Sequence, residues 1–180
     1  QRVPISGSIE VTRRCNLACV HCYNNLPLGD QEARRTELTH EEHCRLVEEM
    51  AAKGCLWLLY TGGEIFARKD FLDIYGDAKK AGFLITLFTN ATLINKAIAE
   101  YLSTWRPFSI EVSLYGHTAE THDKVTRMAG SFDRTMAGVR LLKEVGLMPI
   151  LKTMVLKTNA HELRDMKRFV EEDLGLEFRF

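Results

Sequence analysis

This sequence carries no excess of either charge. Lys plus Arg and Asp plus Glu number 24 each, so the formal net charge is zero. That balance gives no electrostatic basis for binding nucleic acid or an anionic membrane surface, and neither is expected as a partner. No apolar run approaches the ~20 residues of a membrane-spanning helix, and no signal-peptide pattern opens the chain, so a cytoplasmic protein is expected. No low-complexity segment or linker divides it, which argues for one domain over residues 1–180. A second close pair of cysteines is missing as well. The five cysteines are odd in number, which argues against a secreted disulfide framework and for a reducing compartment with a metal or redox site.

What is present is a repeating rhythm of apolar runs and amphipathic stretches. Ser8–Thr12 reads as a short strand, and residues 23–38 as a long polar loop. Thr39-His40-Glu41-Glu42 has the form of a capping box and starts a helix bearing Leu46, Val47, Met50 and Ala51, closed by Gly54. Leu56–Tyr60 is a continuous apolar run of strand length. The unit then recurs: a helix over Asp70–Lys80 and the strand Phe83–Phe88, then a helix over Asn95–Trp105 and the strand Phe108–Leu114. A partly helical segment Thr118–Arg127 follows, and a helix from Phe132 to Gly146. The strand Pro149–Leu156 comes next, then a helix capped by Asn159-Ala160-His161-Glu162, and a sixth strand over Leu176–Phe180. Continuous apolar strands between amphipathic helices predict an α/β fold with a parallel sheet.

Polar or glycine signals mark the C-terminal ends of four successive strands. These are the cysteine loop, Gly62-Gly63-Glu64, Asn90 and Ser113. In α/β folds that edge carries the site, and four contributing strands fit a curved arc better than a flat sheet with one switch point.

The cysteine loop is Cys15-Asn16-Leu17-Ala18-Cys19-Val20-His21-Cys22. Thiolates select zinc or iron–sulfur clusters. Structural zinc usually takes two distant ligand pairs; three thiols and His21 within eight residues give it a cramped tetrahedron. A four-iron cluster normally takes four thiolates, so three leave one iron open for a ligand. Cluster, zinc and incidental thiols all stand at this point.

The Cys-x3-Cys-x2-Cys spacing resembles the cluster motif of radical S-adenosylmethionine (radical SAM) enzymes. Gly62-Gly63-Glu64 and Thr89-Asn90 are similar to two further family elements. Ser113, His122-Asp123, Arg127 and Gly130-Ser131-Phe132 resemble the branch carrying a C-terminal SPASM or twitch extension. The resemblance covers nearly the whole chain. It implies a partial (β/α)6 TIM-like barrel of parallel strands, with the cluster site at their C-terminal ends.

It further implies a [4Fe-4S] cluster on Cys15, Cys19 and Cys22, with the amino and carboxylate groups of S-adenosylmethionine on the fourth iron. Reductive cleavage of S-adenosylmethionine would give a 5′-deoxyadenosyl radical that abstracts hydrogen from a substrate. A low-potential donor such as ferredoxin or flavodoxin would supply the electron. Peptide or protein maturation is the expected task, with tetrapyrrole or other small-molecule biosynthesis as the alternative. A structural zinc module and a simple electron-transfer protein are readings from other classes.

The site residues carried by the resemblance are these. Gly62 and Gly63 allow close backbone approach, and Glu64 accepts from the cofactor ammonium. Ser113 and Arg127 hold its carboxylate. His21 lies near the adenine, Asn90 near the ribose or methionyl group, and Leu156 walls the adenine. Three positions depart from the pattern: Ile65 where many relatives have Pro, Ala91 where Gly is frequent, and Tyr115 where Asp is common.

Elsewhere ordinary structural roles are expected. His40, His43, His117 and His161 read as surface or cap residues, and His122-Asp123 as a hydrogen-bonded pair. Cys44, Cys55, Trp57 and Phe88 read as core. The sixth strand has no covering helix, which predicts that these residues are the core domain of a longer protein with a C-terminal extension.

Overall fold

The computed structural model describes residues 4–24 and 26–180. Its frame is a six-stranded, all-parallel sheet built from β1 (Ser6–Glu10), β4 (Trp57–Thr61), β5 (Leu84–Thr89), β6 (Ser109–Ser113), β7 (Ile150–Lys152) and β8 (Phe178–Arg179). Their order in the sheet is their order in the chain, so each crossover moves one place along a single arc. This is the expected partial (β/α)6 barrel. A two-residue pair, β2 (Arg14–Cys15) with β3 (Leu26–Pro27), stands outside that sheet.

The crossovers carry α2 (His40–Ala52), α3 (Phe71–Lys80), α4 (Lys96–Thr104), α5 (Ala119–Thr126), α6 (Ser131–Glu144) and α7 (Leu163–Arg168). The capping box at Thr39 is complete: its hydroxyl accepts from Glu42 N, and the Glu42 side chain accepts from Thr39 N. Asn95 caps α4 through its bond from Ile98 N.

The strands alternate between two environments. Leu58, Tyr60, Ile85, Leu87, Ile110, Val112 and Leu151 are buried and join the core with Val47, Ile74, Ala99, Leu102, Leu142 and Val170 from the crossovers. The intervening Trp57, Phe88, Glu111, Ser113 and Lys152 are only half-buried and belong to the open interior. Trp57 and Phe88 are therefore interior-facing residues rather than core. Trp57 stacks edge-on with exposed Phe108, the ring centroids 4.6 Å apart.

Several segments differ from the sequence expectation. The polar stretch before Thr39 contains a short helix, α1 (Gln31–Arg35), because the Asp30 carboxylate accepts from Ala33 N. Strand β7 stops at Lys152 instead of continuing to Leu156. Asn159 precedes the 3-10 turn Ala160–Glu162 but makes no side-chain capping bond to it. It is fully buried, where it accepts from Leu156 N and donates to the carbonyls of Tyr115 and Met154. The last helical segment is mixed, with a 3-10 turn at Ala160–Glu162 and a π turn at Phe169–Asp173 flanking α7.

His43 is buried, not superficial, with its Nε2 3.3 Å from the Arg68 guanidinium, and burial pushes its pKa down to about 4. His40 and His117 are hydrogen-bonded to Asp77 and Glu162, at 2.7 and 2.9 Å. Cys55 is buried, while Cys44 is only half-buried. Among the described residues no helix is long and apolar enough to cross a membrane.

Candidate functional site

One cavity lies at the C-terminal ends of the strands. Cys15, Cys19 and Cys22 line it together with His21, Gly62, Gly63, Asn90 and Ser113. Thus eight of the eleven sequence-selected residues meet at one place, although they come from four separate strand ends.

The backbone of the cysteine loop is fixed from two sides. Ala18 N donates to Thr126 O at 3.1 Å and Val20 N to Val125 O at 2.9 Å, which pins the loop to the C-terminal turn of α5. On the other side Arg14 forms a two-pronged pair with Glu37, at 2.7 and 3.0 Å. Thr12 also donates to that carboxylate.

N–H groups converge on the sulfurs. Leu17 N lies 3.4 Å from Cys15 Sγ, Asn24 N 3.4 Å from Cys22 Sγ, and the Asn90 amide nitrogen 3.7 Å from Cys15 Sγ. Burial pushes the Cys15 and Cys19 thiols up, to about 11 and about 12. Thiolates gathered this closely need a compensating positive centre, and a metal supplies one.

The two glycines are required by the approach of the loop. A Cβ on Gly63 would lie 2.3 Å from Arg14 O, and one on Gly62 would lie 2.3 Å from Thr12 O. That closeness is used: Gly63 N donates to Thr12 O at 2.7 Å and Glu64 N to Arg14 O at 2.9 Å. Gly62 also has φ +146, a region that L side chains rarely adopt.

Glu64 does not line the cavity. Its side chain is fully buried, and its carboxylate accepts from Thr89 Oγ1 at 2.7 Å, Asn90 N at 2.7 Å and Phe66 N at 3.2 Å. Burial pushes this carboxyl up against the pull of those bonds. Its position is that of a brace behind the strand ends, not of a group facing a cofactor ammonium.

Asn90 combines a turn role with a site role. Its Oδ1 accepts from Thr92 N at 2.9 Å, while its amide nitrogen donates to Asn16 Oδ1 at 3.0 Å. The next residue, Ala91, has φ +61. The position where glycine is frequent in the resembled family is thus left-handed here, at a cost of about 1–2 kcal/mol.

His21 packs edge-on against Tyr115, the centroids 4.8 Å apart, and its Nδ1 is buried without a partner among the described residues. Burial lowers its pKa. Both rings continue, with Phe88, Glu111, Lys152 and Met154, into an adjoining cavity of the barrel interior. Lys152 lies 2.6 Å from Glu111 and over the Phe88 ring.

Besides Glu64, two further sequence-selected residues stand outside the cavity lining. Leu156 lies beyond β7, in the turn held by Asn159, and Met154 takes the interior position expected for it. Arg127 is exposed at the left-handed end of α5, outside the residues lining the cavity.

His122 and Asp123 are not bonded to each other in the hydrogen-bond network. The buried His122 accepts from Tyr115 N through Nδ1. Asp123 instead accepts from Gly130 N, Ser131 Oγ and Phe132 N, which secures the start of α6. Sequence reasoning missed Tyr115, Phe88, Lys152 and Met154 as lining residues. Their period-two spacing along strands was the available signal.

A model of the Radical SAM superfamily matches residues 9–170. The AdoMet-dependent heme synthase of Methanosarcina barkeri is 35% identical over 158 residues, 86% of this chain and 43% of that protein. The antilisterial bacteriocin subtilosin biosynthesis protein AlbA of Bacillus subtilis is 31% identical over 174 residues, 96% of this chain and 38% of that protein. Streptococcus suis SuiB bound to S-adenosylmethionine superposes with a TM-score of 0.83 at 20% identity, over 98% of this chain and 40% of that one. The chain therefore spans about two fifths of the length of the curated relatives it matches.

Proposed function

The chain belongs to the Radical SAM superfamily, and from that premise we propose that Cys15, Cys19 and Cys22 hold a [4Fe-4S] cluster whose fourth iron takes S-adenosylmethionine. The observation that carries this reading is the lining of one cavity by three thiols and the Gly62-Gly63 backbone. A zinc module or a simple electron carrier needs no such second wall.

Held by these residues, a cluster and S-adenosylmethionine would supply one-electron reductive cleavage of a carbon–sulfur bond and, through it, hydrogen-atom abstraction from a substrate. An external low-potential donor of the ferredoxin or flavodoxin class provides the electron.

The chain's own residues hold and shape the site. The N–H groups of Leu17 and Asn24 and the Asn90 amide stabilise thiolate charge at Cys15 and Cys22. Gly62 and Gly63 present backbone atoms that no side chain screens. Glu64 positions them indirectly, by tying the turn after β4 to the end of β5. Ser113 offers a hydroxyl at the rim, and His21 with Tyr115 forms an aromatic wall suited to an adenine. Met154 takes the apolar place first given to Leu156. Arg127 serves a cofactor carboxylate only if its exposed side chain turns inward, so Ser113 carries that role in the present geometry.

Peptide or protein modification is the substrate reading. The relation to a bacteriocin biosynthesis protein supports it, as does a barrel interior open beside the site. The heme synthase relation supports a tetrapyrrole as the second reading.

The test is anaerobic reconstitution, reduction and addition of S-adenosylmethionine. Near four irons per chain and 5′-deoxyadenosine that vanishes in Cys19→Ala are expected. Stoichiometric zinc without cleavage would overturn the reading. Deuterium transfer into 5′-deoxyadenosine from a labelled peptide or a labelled porphyrin separates the two substrate classes.

A further inference from the structure

A second group of ligand-type side chains sits in the helix layer, and none of them lines the cofactor cavity. His40 and Cys44 are four apart on α2 and so share one face. Asp77 comes from α3, which packs against α2. His40 Nε2 lies 2.7 Å from Asp77 Oδ2, and Cys44 Sγ lies 3.5 Å from the same oxygen. All three ligand atoms fall within 4.8 Å of one another. Lys80 holds the other oxygen, Oδ1, at 3.0 Å, which leaves Oδ2 directed at His40 and Cys44.

The strand that lies between these two helices in the chain carries a second observation. Tyr60 is fully buried on β4, edge-on to Phe71 of α3, and its hydroxyl has no hydrogen-bond partner among the described residues. Burial first, and then the fields of Cys44 and Asp77, raise the pKa of that hydroxyl. An unpartnered buried hydroxyl costs about 1–3 kcal/mol. The His40–Asp77 hydrogen bond alone does not account for the thiol beside it.

We propose that His40, Cys44 and Asp77 bind a divalent transition metal of the zinc class, through Nε2, Sγ and Oδ2, with water in the fourth position. One imidazole, one thiolate and one carboxylate form the mixed, borderline-soft set that such ions take. On binding, Cys44 gives its proton to solvent, and His40 carries its remaining proton on Nδ1. The metal staples α2 to α3, the helices before and after β4, which leads into Gly62-Gly63, and thus stiffens the wall of the cofactor site from outside.

Cobalt(II) tests this directly. The full chain with Cys15→Ser, Cys19→Ser and Cys22→Ser is titrated, so that the loop contributes no thiolate. One cobalt per chain and a thiolate-to-cobalt charge-transfer band are expected. The band is lost in Cys44→Ser. In His40→Ala the dissociation constant rises by more than the ~10–100-fold typical of lost outer partners. No band at one equivalent, or a band that survives Cys44→Ser, overturns the proposal. Should the triple variant fail to fold, zinc is counted on the chain with its loop intact. Cys44→Ser then lowers the zinc content by one equivalent and abolishes the upward Tm shift that zinc produces. Zinc content and Tm shift unchanged by Cys44→Ser overturn it.

Discussion

The carboxylate of Glu64 accepts the backbone N–H of Asn90 at 2.7 Å. Glu64 follows β4 and Asn90 follows β5, so one buried side chain locks two adjacent strand ends. The same two ends present the glycine backbone and the Asn90 amide to the cysteine loop. The geometry of the cavity therefore depends on a residue that does not line it.

Glu64→Gln keeps the shape of this brace but sets an amide donor against one of three donors. It lowers unfolding free energy by about 1–3 kcal/mol. It also weakens cluster retention, because Asn90 loses its register with Cys15. Chemical denaturation and iron content after desalting measure the two effects. An unchanged midpoint would show that the brace is dispensable.

Gly63→Ala places a methyl 2.3 Å from Arg14 O, a backbone atom that cannot swing aside. A loss of about 1–3 kcal/mol is expected, together with impaired iron incorporation. Gly29→Ala is the control, since nothing among the described residues lies within 4 Å of its Cβ position; its effect on stability and iron content stays near zero.

Asp123→Ala removes the acceptor for Gly130 N, Ser131 Oγ and Phe132 N. The start of α6 loses its cap, at about 2 kcal/mol. The C-terminal turn of α5 holds Ala18 and Val20, so the cysteine loop loosens with it. Faster amide exchange at Ala18 and Val20 checks this coupling, and exchange confined to α6 would refute it.

Burial lowers the pKa of His122 to about 4, from an ordinary value of 6.5. The unfolded chain then binds a proton at a pH where the folded chain does not. Stability from this residue is intact above pH 6.5 and is lost as pH falls toward 4, by about 3 kcal/mol. His122→Asn keeps an acceptor for Tyr115 N but does not titrate. The stability difference between wild type and variant therefore shrinks in favour of the variant on acidification. Parallel pH profiles would contradict the assignment.

How much of this was legible in the sequence follows from what each residue is tied to. The three thiols are close in sequence, and Gly62-Gly63 has no side chain to misread, so both are legible, and the structure brings them to one cavity. The Thr39 capping box is a local pattern and was legible for the same reason. Facing was harder. In Leu56-Trp57-Leu58-Leu59-Tyr60 every residue is apolar, so nothing marks which ones turn inward, and Trp57 and Phe88 read as core from sequence alone. Glu64, Asn159 and His43 depend on partners 25 or more positions away, or on a loop that folds back. Leu156 was displaced because β7 ends early, where Asn159 pulls the chain into a turn.

The central claim is a three-thiolate cluster with an open iron facing S-adenosylmethionine. Electron paramagnetic resonance of the reduced, reconstituted protein, before and after S-adenosylmethionine is added, tests it most directly. The account predicts a four-iron cluster signal that changes shape on addition and is absent in Cys19→Ala. A cluster signal that S-adenosylmethionine leaves unchanged would contradict it.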